Sequence, residues 1–364
     1  MYQRFVAAVT LRRSRVSTVT ALSALILCVV GVVAAQENGD SLVTPELLVR
    51  LPEICQTPDG MTLDADGNII LTCPNYADPT HPAVLMKIDP ENRVRLFCIV
   101  PVHPETGVAC PMGIDAAPNG DLYIADNQGW AQANDKGRIL RLIVKNGRVA
   151  AARLVAYGMT HPNGVRIHDG HVYVTQSLMP KVAEKPVASG LYRFELDAPP
   201  VKVFNSREDE NLVATFETLN ENVQYGVDGL VFDSQGNLYV GNFGDATVHK
   251  LTFDADGKVA SNERWAQDEK MKSIDGLGID EKDNIYVADF SNNAICVVSP
   301  EGKVSVLAKS PDCDGSKGGL DQPGEPLVRG KELIVANFDM VTGPDKLNSG
   351  HDEPQTISVI KLGE

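Results

Sequence analysis

The sequence predicts an all-β protein: a six-bladed β-propeller with four antiparallel strands per blade, closed by pairing of its N- and C-terminal strands. Three observations carry this prediction. A short phrase recurs six times, as Pro58-Asp59-Gly60, Pro111-Met112-Gly113, Pro162-Asn163-Gly164, Val227-Asp228-Gly229, Ile274-Asp275-Gly276 and a degraded Pro323-Gly324-Glu325. Its last positions, 60, 113, 164, 229, 276 and 325, are 53, 51, 65, 47 and 49 residues apart, a period typical of a radial or solenoid array of one supersecondary unit. Within each unit the apolar runs are short, rich in Val, Ile, Leu and Tyr, and broken by Gly, Asp and Asn, the pattern of strands joined by tight hairpins. Helical periodicity is nearly absent.

Taken in chain order, residues 1–35 fall outside the array. Arg4, Arg12, Arg13 and Arg15 precede an apolar stretch from Val19 to Val33, and Val33-Ala34-Ala35 leads into polar Gln36-Glu37-Asn38. This is the layout of a secretory signal with cleavage after Ala35; the alternative is an uncleaved anchor, for which the apolar run is near the minimum length. Residues 36–364 then form a single propeller domain, because a ring cannot be cut into two. Each phrase opens an inner strand and is followed by a turn and a second strand, as in Asp64-Ala65-Asp66-Gly67 before Asn68-Ile69-Ile70-Leu71. Third strands are expected at Arg138–Leu142, Gly190–Phe194 and Thr247–Leu251, and a fourth at Lys303–Leu307. The last unit reaches a third strand, Thr356–Leu362, and the chain ends there. Its fourth strand is expected from Pro45–Leu51, which would zip the ring shut and leave no open sheet edge.

The chain has 33 basic and 48 acidic residues; with the four arginines of residues 1–35 set aside, 29 basic residues face 48 acidic ones, a net charge near −19. Such a surface repels nucleic acid and anionic membranes, so neither is expected as a partner once the signal is removed. Six cysteines remain beyond Cys28: Cys55, Cys73, Cys98, Cys110, Cys296 and Cys313. An even number after export permits disulfides. Cys98 with Cys110 is the first pair expected, since one loop separates them, while Cys73 and Cys296 lie in strand contexts where a buried thiol is the alternative.

In a propeller the innermost strands line the central channel, so the middle residues of the six phrases converge on one axis. They are Asp59, Met112, Asn163, Asp228, Asp275 and Gly324. Carboxylates meeting there repel unless a cation neutralises them. An oxygen-only set without His or Cys suits a hard cation, calcium or another divalent ion, and predicts Asp59, Asn163, Asp228 and Asp275 as its ligands. The alternative is that these side chains merely bond local backbone amides. A second polar ring is expected at the same mouth, where the returning strands end: Asn75, Asp126-Asn127, Gln176, Asn242, Asp289 and Asn337. Three of its members precede Phe243, Phe290 and Phe338. Over a cation this makes a small-molecule site, with Met112, Asn127, His161, Gln176, Asn242, Asp289 and Asn337 as candidate substrate contacts; the alternative is that the ring residues satisfy loop amides.

Pro162-Asn163-Gly164-Val165 leading to His171-Val172-Tyr173-Val174-Thr175, with Asp228-Gly229-Leu230 leading to Gly236-Asn237-Leu238-Tyr239-Val240, resembles the gluconolactonase and regucalcin (senescence marker protein) family of six-bladed propellers, with paraoxonases and strictosidine synthase-like proteins as more distant likenesses. The resemblance implies a channel calcium and hydrolysis of lactones or related esters. On this footing Asp59 stands at the family's first acidic ligand, Asn163 at its Asn ligand, and Asp228 at the Asp that is both ligand and general base. Asp275 matches the additional ligand of the paraoxonase-like arrangement. Met112 departs from the pattern, since gluconolactonases place sugar-gripping polar residues in that blade, and it points to a more apolar lactone or ester.

The mechanism expected from these residues is metal-assisted hydrolysis, with Asp228, or Asp275 as second choice, as catalytic base toward water. No serine nucleophile motif, phosphate loop or dinucleotide fingerprint competes with it. The rival is a non-enzymatic propeller that binds a ligand or protein at the same mouth.

Overall fold

The computed structural model describes residues 42–76, 78, 80–131, 134–340 and 347–363, with the side chains of Trp130 and Ala131 left aside. The expected signal segment, residues 1–35, lies outside them. The described chain is a six-bladed propeller, each blade a mostly antiparallel four-stranded sheet. Its inner strands are Met61–Leu63, Pro111–Ala116, Pro162–His168, Val227–Phe232, Leu277–Ile279 and Pro323–Arg329. The two helical segments are single 3₁₀ turns, Gln128–Ala131 and Phe290–Asn292.

The expected third and fourth strands are present as Gly137–Lys145, Val187–Glu195, Thr247–Phe253 and Val304–Lys309. Glu46–Arg50 pairs antiparallel with Thr356–Lys361, in the register Glu46 to Val359 and Arg50 to Thr356, so strands from the two ends of the ring close the last blade. One addition was not foreseen: Val201–Lys202 lies parallel to the outer strand Arg148–Met159 of the second blade. That strand is 12 residues long, and the length leaves its end free to take a partner.

Flat apolar faces stack blade on blade, and the core divides accordingly into six clusters, one at each blade junction. The junction between first and last blades is as apolar as the others, with Ile69, Leu71 and Met86 against Ile334, Ala336 and Ile357. Deleting a side chain of this size from such a core costs roughly 2–5 kcal/mol.

The repeated glycine has a concrete cause. Around the channel each inner strand passes so close to the next that a Cβ on Gly229 would lie 2.5 Å from the carbonyl oxygen of Asp275 and 2.6 Å from the amide nitrogen of Leu277. Real Cβ atoms do not approach so closely, so only glycine lets neighbouring blades pack with their middle residues turned to the axis.

The cysteine expectation needs correcting. Cys55 pairs with Cys73, their Cα atoms 5.5 Å apart, whereas Cys98 and Cys110 are free thiols. Cys98 sits on the outer strand Val94–Ile99 and Cys110 just ahead of the inner strand Pro111–Ala116, so the loop between them spans the width of a blade. Cys296 is a buried thiol, as one reading of its strand context had it.

Candidate active site

The channel phrases deliver their side chains to one cavity of about 400 Å³, whose lining includes Asp59, Met112, Asn163, Asp228 and Asp275. The turns that hold them are braced by threonines of the returning strands. Thr72 Oγ1 accepts from Gly60 N and donates to the carbonyl of Met112; Thr175 Oγ1 accepts from Gly164 N and donates to the carbonyl of Asp228. Each threonine ties its own blade's phrase to the next, which fixes neighbouring middle residues relative to one another.

On the cavity floor Asn163 Nδ2 donates to Asp228 Oδ2 at 2.6 Å, which orients the amide and leaves Asn163 Oδ1 as a free-facing acceptor. Asp59 Oδ2 is buried and has no hydrogen-bond partner. Beneath lies a residue the motif reading passed over: Glu325, in the glycine position of the degraded sixth phrase. It forms an ion pair with Arg166, whose Nη2 also donates to the carbonyl of Leu277 at 2.9 Å. A Cβ on Gly276 would meet the Glu325 carboxylate, so that glycine leaves room for it. A charged residue replacing glycine at a channel position was the available signal.

Burial and mutual repulsion dominate the electrostatics. Asp59 is held well above the ordinary carboxylate range by burial, then by Asp228 and Glu325; Asp275 likewise, by burial and then by Asp228, Asp59 and Glu325. Burial and the Glu325 charge push Asp228 up to about 8, against the Asn163 hydrogen bond. Four carboxylates thus share one guanidinium, an arrangement that favours a bound cation. The donors fit a hard one: oxygen only, irregularly placed, one orphaned. The set is open: among the described residues the three carboxylates whose oxygens lie within 4.8 Å of one another are Asp321, Asp339 and Asp352, elsewhere in the molecule, whereas ligands on opposite sides of a calcium stand about 5 Å apart at bond lengths of ~2.3–2.6 Å.

Above this floor the wall is aromatic. Ring pairs run from His161 to Tyr225 at 5.2 Å, Tyr225 to Phe243 at 6.4 Å, Phe243 to Phe290 at 5.7 Å, Phe290 to Phe338 at 5.8 Å and Phe338 to Tyr76 at 6.3 Å. Tyr76 in turn contacts Met112 Sδ through its hydroxyl at 3.0 Å. The three phenylalanines are those that follow the second polar ring. His161 lines the cavity, contacts Asn127 Nδ2 through Nδ1 at 2.9 Å, and is pushed down to about 4 by burial, so it is neutral at physiological pH.

Most of the second ring, including five of the candidate substrate contacts, does not line this cavity. Asn127, Gln176, Asn242, Asp289 and Asn337 are fully buried. Asn127 Oδ1 accepts from Gly129 N. Gln176 Oε1 accepts from Thr160 N, and its Nε2 donates to Asn205. Asn242 Oδ1 accepts from Thr218 Oγ1 and Asp245 N. Asp289 accepts from the amides of Lys272 and Ser273. Asn337 accepts from Asp321 N and donates to Thr356 and Ser358. The loop entering each blade, or the turn just after the strand, brings these donors inside the sheet edge, and the side chains fold back to meet them. Met112 and His161 are the candidate contacts that reach the cavity.

No family model and no curated protein matches this sequence. Solved structures do match in three dimensions. A gluconolactonase from Xanthomonas campestris superposes with a TM-score of 0.56 at 13% identity over 89% of this chain and 96% of its own. The calcium-binding protein regucalcin from Agrobacterium tumefaciens gives 0.56 at 14% identity over 88% and 96%, and a luciferin-regenerating enzyme gives 0.59 at 15% over 88% and 96%. The chain therefore has the propeller fold of the gluconolactonase and regucalcin proteins along nearly its whole described length, as its motifs indicated. At these identities the likeness establishes the fold, and the chemistry must be argued from the site.

Proposed function

We propose that this protein is an exported, calcium-dependent hydrolase of lactones or related esters of apolar character. The observation that carries this reading is the floor of the cavity: the carboxylates of Asp59, Asp228 and Asp275 and the Asn163 amide converge beneath an aromatic wall, with Asp59 Oδ2 buried and unpartnered. These four residues would hold the ion. Bound there, calcium supplies Lewis acidity toward a carbonyl oxygen and the oxyanion that develops on it.

The chain's own residues do the rest. Asn163 occupies Asp228 Oδ2, so Oδ1 is the oxygen left to take a proton from an attacking water. Near about 8, Asp228 is protonated at neutral pH until positive charge nearby lowers it, which ties base strength to cation binding. Asp275 is the second choice for this role. Tyr225, Phe243, Phe290, Phe338 and Met112 offer an apolar surface to the acyl portion and exclude bulk water from the floor. Glu325 and Arg166 act as positioning residues below.

Export to an extracellular or periplasmic compartment is supported by the charge and hydropathy layout of residues 1–35 and by the Cys55–Cys73 bridge, which belongs to an oxidising setting. Among the described residues no helix is long and apolar enough to cross a membrane.

The test is a panel of lactones and aryl esters assayed with calcium and with chelator, on the wild-type protein and Asp228→Asn. Hydrolysis should require calcium, and Asp228→Asn should lower turnover by about 10²–10⁴, the range of a lost general base, while the variant still binds the ion. A protein that holds calcium and hydrolyses nothing in the panel is a binding propeller instead.

A further inference from the structure

A second group of acids lies away from the channel, where the ring closes. Asp321 immediately precedes the last inner strand, while Asp339 and Asp352 lie in the connection between Asn337 and Thr356. Their oxygens fall within 4.8 Å of one another. Asp321 and Asp339 are buried, at 1% and 3% exposure. Among the described residues His351 is a basic group at hand, its Nδ1 3.9 Å from Asp339 Oδ2.

Acidic clusters alone are common, and this one differs by the atoms around it. Asp321 Oδ1 is buried without a hydrogen-bond partner, and so are two amide oxygens, Asn348 Oδ1 and Gln355 Oε1. Asn348 and Gln355 are 2% and 3% exposed. Each is tied to Asp339 through its nitrogen, Asn348 Nδ2 to Oδ1 at 3.1 Å and Gln355 Nε2 to Oδ2 at 3.0 Å, so each amide oxygen stands beside the cluster. Among the described residues no donor reaches these three buried acceptors, each of which would cost roughly 1–3 kcal/mol if left bare. A cation held among them would satisfy them together.

We propose that Asp321, Asp339 and Asp352, with the amide oxygens of Asn348 and Gln355, form a second calcium site that fastens the closing blade. The donors are again oxygen only, five protein atoms from five residues, short of the 6–8 that calcium takes, so water would complete the shell. Asp352 also lines a surface depression with Asp312, Asp314 and Lys317, three carboxylates to one ammonium, so the way in for the ion is acidic on balance. The site joins the strand leading to Glu325 to the connection that carries Phe338 and Met340 into the cavity wall; Met340 N already donates to Gln322 Oε1 at 2.7 Å. An ion here would steady ring closure and one side of the substrate cavity. This inference is independent of the channel reading.

Equilibrium dialysis of the chelator-stripped full-length protein against calcium tests it. Wild type should bind about two ions per chain, one per oxygen cluster. Asp352→Asn, at the partly exposed end of the cluster, should lose one of them. A channel variant, Asp59→Asn with Asp275→Asn, should keep the ion lost in Asp352→Asn, and its melting temperature should rise with added calcium, as mass action requires of a ligand bound only by the folded state. Because the channel variant leaves the acidic cluster untouched, it speaks even if Asp352→Asn folds poorly. A folded channel variant that binds no calcium overturns the proposal, as does an Asp352→Asn protein that binds as much as wild type; in either case Asp321 shares a proton with its neighbours instead.

Discussion

Two rings of polar residues encircle the channel mouth, and they behave in opposite ways. The first consists of the middle residues of the inner-strand phrases; its Asp59, Asn163, Asp228 and Asp275 face the cavity, and Asp59 Oδ2 is buried there without a partner. The second consists of residues at the ends of the returning strands, and Asn127, Gln176, Asn242, Asp289 and Asn337 are sealed inside, bonded to the loop that enters their own blade or to the turn just after their strand. Polarity at a repeated position therefore does not identify a site. What separates the rings is supply of donors: the phrase positions face an axis where other acceptors converge, and the strand ends face loop amides that need acceptors.

This contrast should show most strongly in the pH dependence of stability without calcium. Asp228 is raised to about 8, with Asp59 and Asp275 also raised, so the folded protein holds protons that the unfolded chain releases near ~4. Raised acids contribute stability that is present below the unfolded value and lost as pH rises through the folded one. Urea unfolding in chelator should therefore show stability falling between about pH 4 and 8, by about 5 kcal/mol for a single group shifted this far, and calcium should remove the fall. Asp321, also pushed up to about 8, adds a loss of the same sign, and comparison with Asp228→Asn gives the part that Asp228 carries. A flat profile in chelator would mean the first ring is as well satisfied as the second.

A smaller effect is expected from the second ring itself. Asn242→Leu keeps the side-chain volume but strands Asp245 N and Thr218 Oγ1, which donate to Asn242 Oδ1 at 3.1 Å each. Loss of about 2–3 kcal/mol is expected, a fall in melting temperature of roughly 3–5 °C for a domain of this size, with turnover of the folded protein close to wild type. Lost turnover at an unchanged melting temperature would return Asn242 to the substrate site.

The sequence made the architecture legible because a propeller writes one constraint six times. Glycine spacing revealed blade number, and the incomplete last unit revealed which strands close the ring, since Glu46–Arg50 does pair with Thr356–Lys361. The aromatic wall was half visible, in the phenylalanines at 243, 290 and 338. What stayed hidden depends on single exceptions and long-range meetings. Glu325 looked like decay of the motif rather than a charge aimed at the channel. The Cys55–Cys73 bridge joins the segment after the closing strand to the second strand of the first blade, and spacing along the chain favoured another pair. The Asp321, Asp339 and Asp352 cluster assembles from both sides of a whole hairpin strand, which no local pattern marks.

The smallest effect concerns Met112, the one apolar side chain among the phrase residues turned to the axis. It is 5% exposed and pinned by the Tyr76 hydroxyl at 3.0 Å, so it shapes the cavity wall without adding charge to the floor. If it selects against polar substrates, Met112→Asn should leave calcium binding and melting temperature nearly unchanged. It should shift the ratio of kcat/KM between an alkyl-substituted lactone and a hydroxylated one by roughly tenfold toward the hydroxylated compound, the size of one gained or lost apolar contact in a pocket. The change should appear mainly in KM, because Met112 lies on the wall and not among the oxygens that surround the reacting carbonyl. A shift in kcat with the ratio unchanged would instead make Met112 a packing partner of the first ring, and the two rings would then differ in what they hold but not in how rigidly they hold it.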